Sequence, residues 1–176
     1  KRCGHLTDKG VIPAKEMAGK IRAAVDARAS EQTLIVARTD AVAVEGFERA
    51  IERAHLYAEA GADMLFIEAP KTREELARVV AACGTKIPLM ANMVEGGVTP
   101  IVPAPDLEKI GFAFVIFPGG IVRAIAKAAQ DFYATLHRDG TTDAYRDRMF
   151  DFRGINELLG TEAILARGKT YEGDAQ

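Results

Sequence analysis

A chain of 176 residues, 48% hydrophobic and 27% charged, is long enough to bury a substantial core within one domain. Its formal net charge of −2 supplies no basic face for nucleic acid or an anionic membrane, and no apolar run approaches the roughly 18–20 residues of a spanning helix. Two cysteines, Cys3 and Cys83, do not make a disulfide scaffold and point to a reducing, cytoplasmic setting.

The chain opens on Lys1-Arg2-Cys3-Gly4-His5. With neither an initiator Met nor a signal-peptide pattern, it is expected to be a truncated piece. Cationic neighbours lower a thiol's pKa towards neutrality, so Cys3 is a candidate acid–base group, able to give a proton to a carbanion or take one from carbon. Met17, Ile21, Ala24 and Val25 then follow helical spacing. The first strand is predicted at Leu34–Ala37, closed by Arg38 and Asp40. Phe47, Ala50, Ile51, Ala54 and Ala58 trace a helix face, with Glu52 and Arg53 as solvated charges.

The second strand is predicted at Met64–Ile67 and ends on Glu68. Leu76, Val79, Val80 and Cys83 make the next apolar stripe, so Cys83 reads as packing. Pro88–Ala91 is the third strand, ending on Asn92, and a short helix begins near Pro105 and Asp106. Ala113–Phe117 is the fourth, followed by Pro118-Gly119-Gly120 and a helix carrying Ile121, Ile125, Ala128, Phe132 and Leu136. Gly61, Gly84, Gly111 and Gly140 fall at helix ends, where left-handed backbone suits glycine.

Four βα units argue for parallel strands. Polar groups recurring at the end of successive strands favour a barrel mouth over the single switch point of an open sheet. The fold class is therefore α/β: half of a (β/α)8 barrel over residues 1–140, with a helical extension and tail over 141–176. Four strands alone would leave two open edges and an exposed interior face. Met149, Phe150, Phe152, Ile155, Leu158, Leu159 and Ile164 give the extension an apolar stretch. It suits either packing on the domain's own surface or contact between subunits.

Arg38 offers a rigid fork to a substrate carboxylate, or an ion pair with Asp40 or Glu68. Glu68 could hold a metal-bound water, orient Arg38 or act as a base, and Asn92 could donate to an oxyanion or a carboxylate. Other features have plainer readings. His55 suits a helix surface, His137 complements a helix dipole, and Lys86 precedes its strand, at the wrong barrel end for Schiff-base chemistry. Neither Gly96-Gly97 nor Gly119-Gly120 has phosphate-loop spacing.

Lys1-Arg2-Cys3-Gly4-His5, Ala37-Arg38-Thr39-Asp40-Ala41, Ala60-Gly61-Ala62-Asp63, Phe66-Ile67-Glu68-Ala69 and Ala91-Asn92-Met93 together resemble the isocitrate lyase/phosphoenolpyruvate mutase superfamily. They are most similar to its 2-methylisocitrate lyase branch, which includes dimethylmalate lyase-like and carboxyphosphonoenolpyruvate mutase-like proteins. The resemblance implies a C-terminal half barrel and a tetramer that exchanges its C-terminal helix. It also implies a carbon–carbon lyase that cleaves a 2-hydroxy di- or tricarboxylate to a 2-oxo acid and a smaller carboxylate.

By the same resemblance Cys3 protonates the departing carbanion, supported by His5. Gly4 lends its backbone N–H, and Arg38, Glu68, Asn92 and Arg123 line the substrate pocket. Mg2+ is the implied cofactor, a Lewis acid, with ligands on strands preceding Lys1, so the chain alone is expected to be inactive. Alternatives within the resemblance are a phosphonomutase or an oxaloacetate decarboxylase; outside it, a non-catalytic fragment. Val94 stands where methylisocitrate lyases carry Thr two residues after the Asn. The missing hydroxyl favours a less polar substrate, such as an alkylated malate.

Overall fold

The computed structural model describes residues 9–171. Four short strands, β1 (Val36–Thr39), β2 (Met64–Ile67), β3 (Leu89–Asn92) and β4 (Phe114–Ile116), form one parallel sheet in the order β1-β2-β3-β4. Helix α1 (Ala14–Ala27) leads in. Then α2 (Ala41–Val44) and α3 (Phe47–Glu59) follow β1, α4 (Arg73–Val79) follows β2, α5 (Ala104–Ile110) follows β3, and α6 (Gly120–Asp139) follows β4. A doubly wound sheet reverses its strand order at a switch point; these strands run on without reversal, as in a (β/α)8 barrel. The chain divides into two compact units after Ile121. Among the described residues no helix is long and apolar enough to cross a membrane.

Register decides which residues share a sheet face. Ala37 lies beside Leu65, and Leu65 beside Leu89, all three buried in the core on which α3 packs. One position along, Arg38 lies beside Phe66, Phe66 beside Met90, and Met90 beside Phe114. Because strand side chains alternate, this second row points to the face that a closed barrel turns inward. Its edge residues Val36 and Phe114 are exposed, Phe114 by 51%, as expected of four strands by themselves.

Local devices hold the units together. The Asp63 carboxylate accepts from the Ile35 N–H at 2.7 Å and from Arg28 at 2.8 Å, tying the entry of β1 to that of β2. Thr72 caps α4 by accepting from the Glu75 N–H, and the Glu75 carboxylate reaches back to the Lys71 N–H, a variant of the capping box. Gly61 has φ +98° and Gly111 φ +116°. At Gly111 a Cβ would stand 2.7 Å from the Val80 Cγ1, so both backbone and packing demand glycine there.

Several expectations need correction. The first strand starts at Val36, two residues later than its apolar run, and Leu34 is 58% exposed. The Asp63 side chain takes the Ile35 N–H that an earlier ladder would have used. At its other end the strand pairs on to Thr39, so Arg38 lies within β1. Gly84 lies in a π-helical turn over Val80–Gly84 without positive φ. Arg53 is no solvated charge but is 7% exposed.

In the second unit, Tyr145 is buried, donates its hydroxyl to the Ala128 carbonyl at 3.0 Å, and meets Phe132 edge-on. Helices α7 (Phe152–Leu159) and α8 (Thr161–Lys169) join at Gly160, φ +66°. Their apolar side chains are uncovered: Phe152 is 87% exposed, and Leu158, Leu159, Ile164 and Leu165 are exposed too.

Candidate active site

The polar residues foreseen at successive strand ends lie on one sheet face. Arg38 in β1 forks onto Asp40, with Nε to Oδ2 at 3.0 Å and Nη2 to Oδ1 at 2.9 Å. The same Nη2 lies 3.0 Å from Glu68 Oε2, and the guanidinium sits over the Phe66 ring at 4.9 Å. Asp40 stands at the N-cap of α2 yet makes no side-chain cap bond. Its carboxylate is spent on Arg38, and the Thr39 hydroxyl accepts from the Ala41 N–H instead. Of the roles open to Arg38, the ion pair with both carboxylates is therefore present.

Glu68 directly follows β2 and is 1% exposed. Its N–H donates to the Thr39 carbonyl at 2.9 Å, extending the ladder and setting its carboxylate beside Arg38. A charge so buried needs such a partner. The next residue, Ala69, is buried with φ +63°, a conformation uncommon without glycine, and the local turn carries that strain. Residue types alone carried no signal for it.

Asn92 ends β3 and turns its amide nitrogen to the two Glu68 oxygens at 3.4 and 3.5 Å. Its buried Oδ1 has no hydrogen-bond partner. The opposite amide orientation would set oxygen against a carboxylate, so the donor belongs on the Glu68 side. Of the donor roles foreseen for Asn92, the one to a carboxylate is thus present, and the amide oxygen is left as an acceptor suited to a hydroxyl.

Beside Arg38, Thr39 and Asp40 lies a cleft of about 470 Å³ that is also lined by Lys9, Gly10, Val11 and Ile12. Cys3, Gly4 and His5 lie outside the described residues. Arg123 is in the second unit, near the start of α6. Cys83 is 1% exposed, and burial pushes its thiol pKa up, which suits packing and not nucleophilic chemistry. Lys86 is exposed just before β3, away from the strand ends.

For a divalent metal the described residues do not suffice. They contain no group of three or more His, Cys, Asp or Glu that could hold one, and both mouth carboxylates bear on Arg38.

Polar side chains gathered at the C-terminal ends of sequential parallel strands are the signature of a (β/α)8-barrel enzyme site. The phosphoenolpyruvate phosphomutase family model matches residues 3–137, and the chain belongs to that family, within the isocitrate lyase/phosphoenolpyruvate mutase superfamily. It is 41% identical over 166 residues to 2,3-dimethylmalate lyase of Eubacterium barkeri, covering 93% of this chain and 56% of that protein. To 2-methylisocitrate lyase of Aeropyrum pernix it is 43% identical over 160 residues, covering 91% and 51%. The crystal structure of a 2,3-dimethylmalate lyase superposes with a TM-score of 0.86 at 30% identity, covering 99% of this chain and 58% of the other. The chain thus spans about half the length of the curated relatives it matches.

Proposed function

We propose that this chain is part of a lyase that cleaves a carbon–carbon bond of a 2-hydroxy di- or tricarboxylate, giving a 2-oxo acid and a smaller carboxylate. One observation carries the reading. The Arg38–Glu68–Asn92 network on one sheet face combines a guanidinium with a buried amide oxygen that lacks a donor. A hydroxyl on the substrate fits that oxygen, and a carboxylate fits the guanidinium.

In the retro-aldol step a general base of the whole protein takes the substrate's hydroxyl proton, the hydroxyl carbon becomes a carbonyl, and the electron pair of the broken carbon–carbon bond stays on the departing carbon beside its carboxylate. Cys3 gives that carbon its proton, with His5 supporting the thiol and the Gly4 N–H contributing a hydrogen bond. Arg38 and Arg123 offset the carboxylate charge, and Glu68 fixes the orientation of Arg38 and Asn92. Mg2+ dependence belongs to the proposal as a property of the whole protein; the described residues form no cage for it, and no step here is routed through it. Val94, where a hydroxyl donor would serve a third carboxylate, favours an alkylated malate.

The test is turnover of 2,3-dimethylmalate and 2-methylisocitrate by the whole protein, with and without Cys3→Ser. Loss of turnover in the variant is the expected result, and undiminished turnover would remove Cys3 from the mechanism. Release of CO2 from oxaloacetate, or a phosphorus NMR product from a phosphonate, would identify the reaction as a decarboxylation or a mutation instead.

A further inference from the structure

Arg53 is the best-connected buried charge of the first unit outside the mouth network. It lies on α3, and its side chain reaches three other groups. Nε and Nη2 fork onto Glu45 at 2.7 and 2.6 Å, while Nη1 donates to the Ile12 carbonyl at 2.8 Å and to the Tyr57 hydroxyl at 3.3 Å. Burying a guanidinium is expensive unless its donors are used, and here the donors bridge α3, the end of α2 and the segment ahead of α1. That segment, 9–12, lines the same cleft as Arg38 and Asp40, and Arg53 and Tyr57 line it too. Arg53 thereby ties the backbone of this segment to α3.

We infer that Arg53 is a positioning residue, holding segment 9–12 through the Ile12 carbonyl so that it closes the cleft over Arg38 and Asp40. The inference rests on the proposed function only where it concerns turnover. Cys3, the proposed proton donor, lies nine positions before Ile12 in the sequence. Lysine cannot replace Arg53, since one ammonium lacks the planar fork that serves Glu45, Ile12 and Tyr57 together.

The test combines limited trypsin digestion and kinetics on the whole protein. In Arg53→Lys, native-state cleavage after Lys9 should rise about five-fold or more relative to cleavage after the exposed Lys86, as expected when one anchoring hydrogen bond is lost from a local segment. Equal acceleration at both sites, which marks global loosening, would overturn the anchor, and so would no change. Should Arg53→Lys not fold, the Glu45→Gln/Arg53→Met pair removes both charges at once and leaves none buried unpaired, and the same ratio decides.

With 2,3-dimethylmalate, the limb of the pH–rate profile that follows the thiol should move by about half a unit or more in Arg53→Lys. A smaller active fraction would scale the profile without moving it, so an unmoved limb overturns the positioning role. If the wild-type protein turns over none of the proposed substrates, the lyase reading fails while the cleavage ratio still decides the anchor.

Discussion

Ala69 concentrates a cost in a single residue. Its φ of +63° follows directly on Glu68, the buried carboxylate that holds Arg38 and Asn92. A left-handed residue with a Cβ costs roughly 1–2 kcal/mol, and a β-branched one costs more. Ala69→Val is therefore expected to destabilise by about 2 kcal/mol or more, and Ala69→Gly to be near neutral, because relief of strain offsets added unfolded-state entropy. Urea titration of the two variants checks the contrast; equal losses would mean that lost packing, not backbone strain, governs the position. Two residues after Asn92, Val94→Thr should raise the kcat/KM ratio of 2-methylisocitrate to 2,3-dimethylmalate by about five- to ten-fold, the worth of one added hydrogen bond. An unchanged ratio would remove Val94 from substrate choice.

Among the elements, α5 and the π turn after α4 meet through a glycine. Gly111→Ala sets a Cβ 2.7 Å from Val80 Cγ1 at a φ of +116°, and is expected to cost about 2–4 kcal/mol in a thermal or urea melt. Adding Val80→Ala should recover only the steric part, leaving the backbone strain. The α2–α3 corner has a pH signature. The Arg53 guanidinium bonded to Glu45 holds that carboxyl below the usual carboxylate range. A depressed folded-state pKa adds stability above the unfolded value, about 4.3 for Glu, that is lost as pH falls through the folded one. The stability gap between wild type and Glu45→Gln is thus expected to be full at pH 7 and to shrink steadily below about pH 4.3. A gap independent of pH would show that the pair contributes through shape alone.

At the scale of the whole molecule, the apolar side chains of Phe152, Leu158, Leu159, Ile164 and Leu165 on α7 and α8 are exposed. Apolar exposure of this kind suits an interface, and we propose that these helices meet another subunit of the whole protein. Phe152→Asp with Leu158→Asp is expected to lower the oligomeric state of the whole protein in light scattering without lowering helix content. An unchanged assembly would place the interface elsewhere.

Polar residues recurring at strand ends carried the barrel class, and the periodicity of apolar residues carried the element order and the parallel sheet, because alternating short apolar runs and amphipathic stripes are local signals. It also carried the rank of Arg38, Glu68 and Asn92 at successive strand ends, and the inert role of Cys83. Three things needed the folded chain. The β1 boundary moved because Asp63, twenty-eight residues away, takes the Ile35 N–H. Arg53 became a buried anchor because Glu45 and Ile12 converge on it across eight and forty-one residues. Asn92 became an acceptor because Glu68 claims its donor. Sequence spacing reports which face a residue occupies; hydrogen-bond partners distant along the chain are set only when strands and helices pack, and those partners determine what the polar side chains can do.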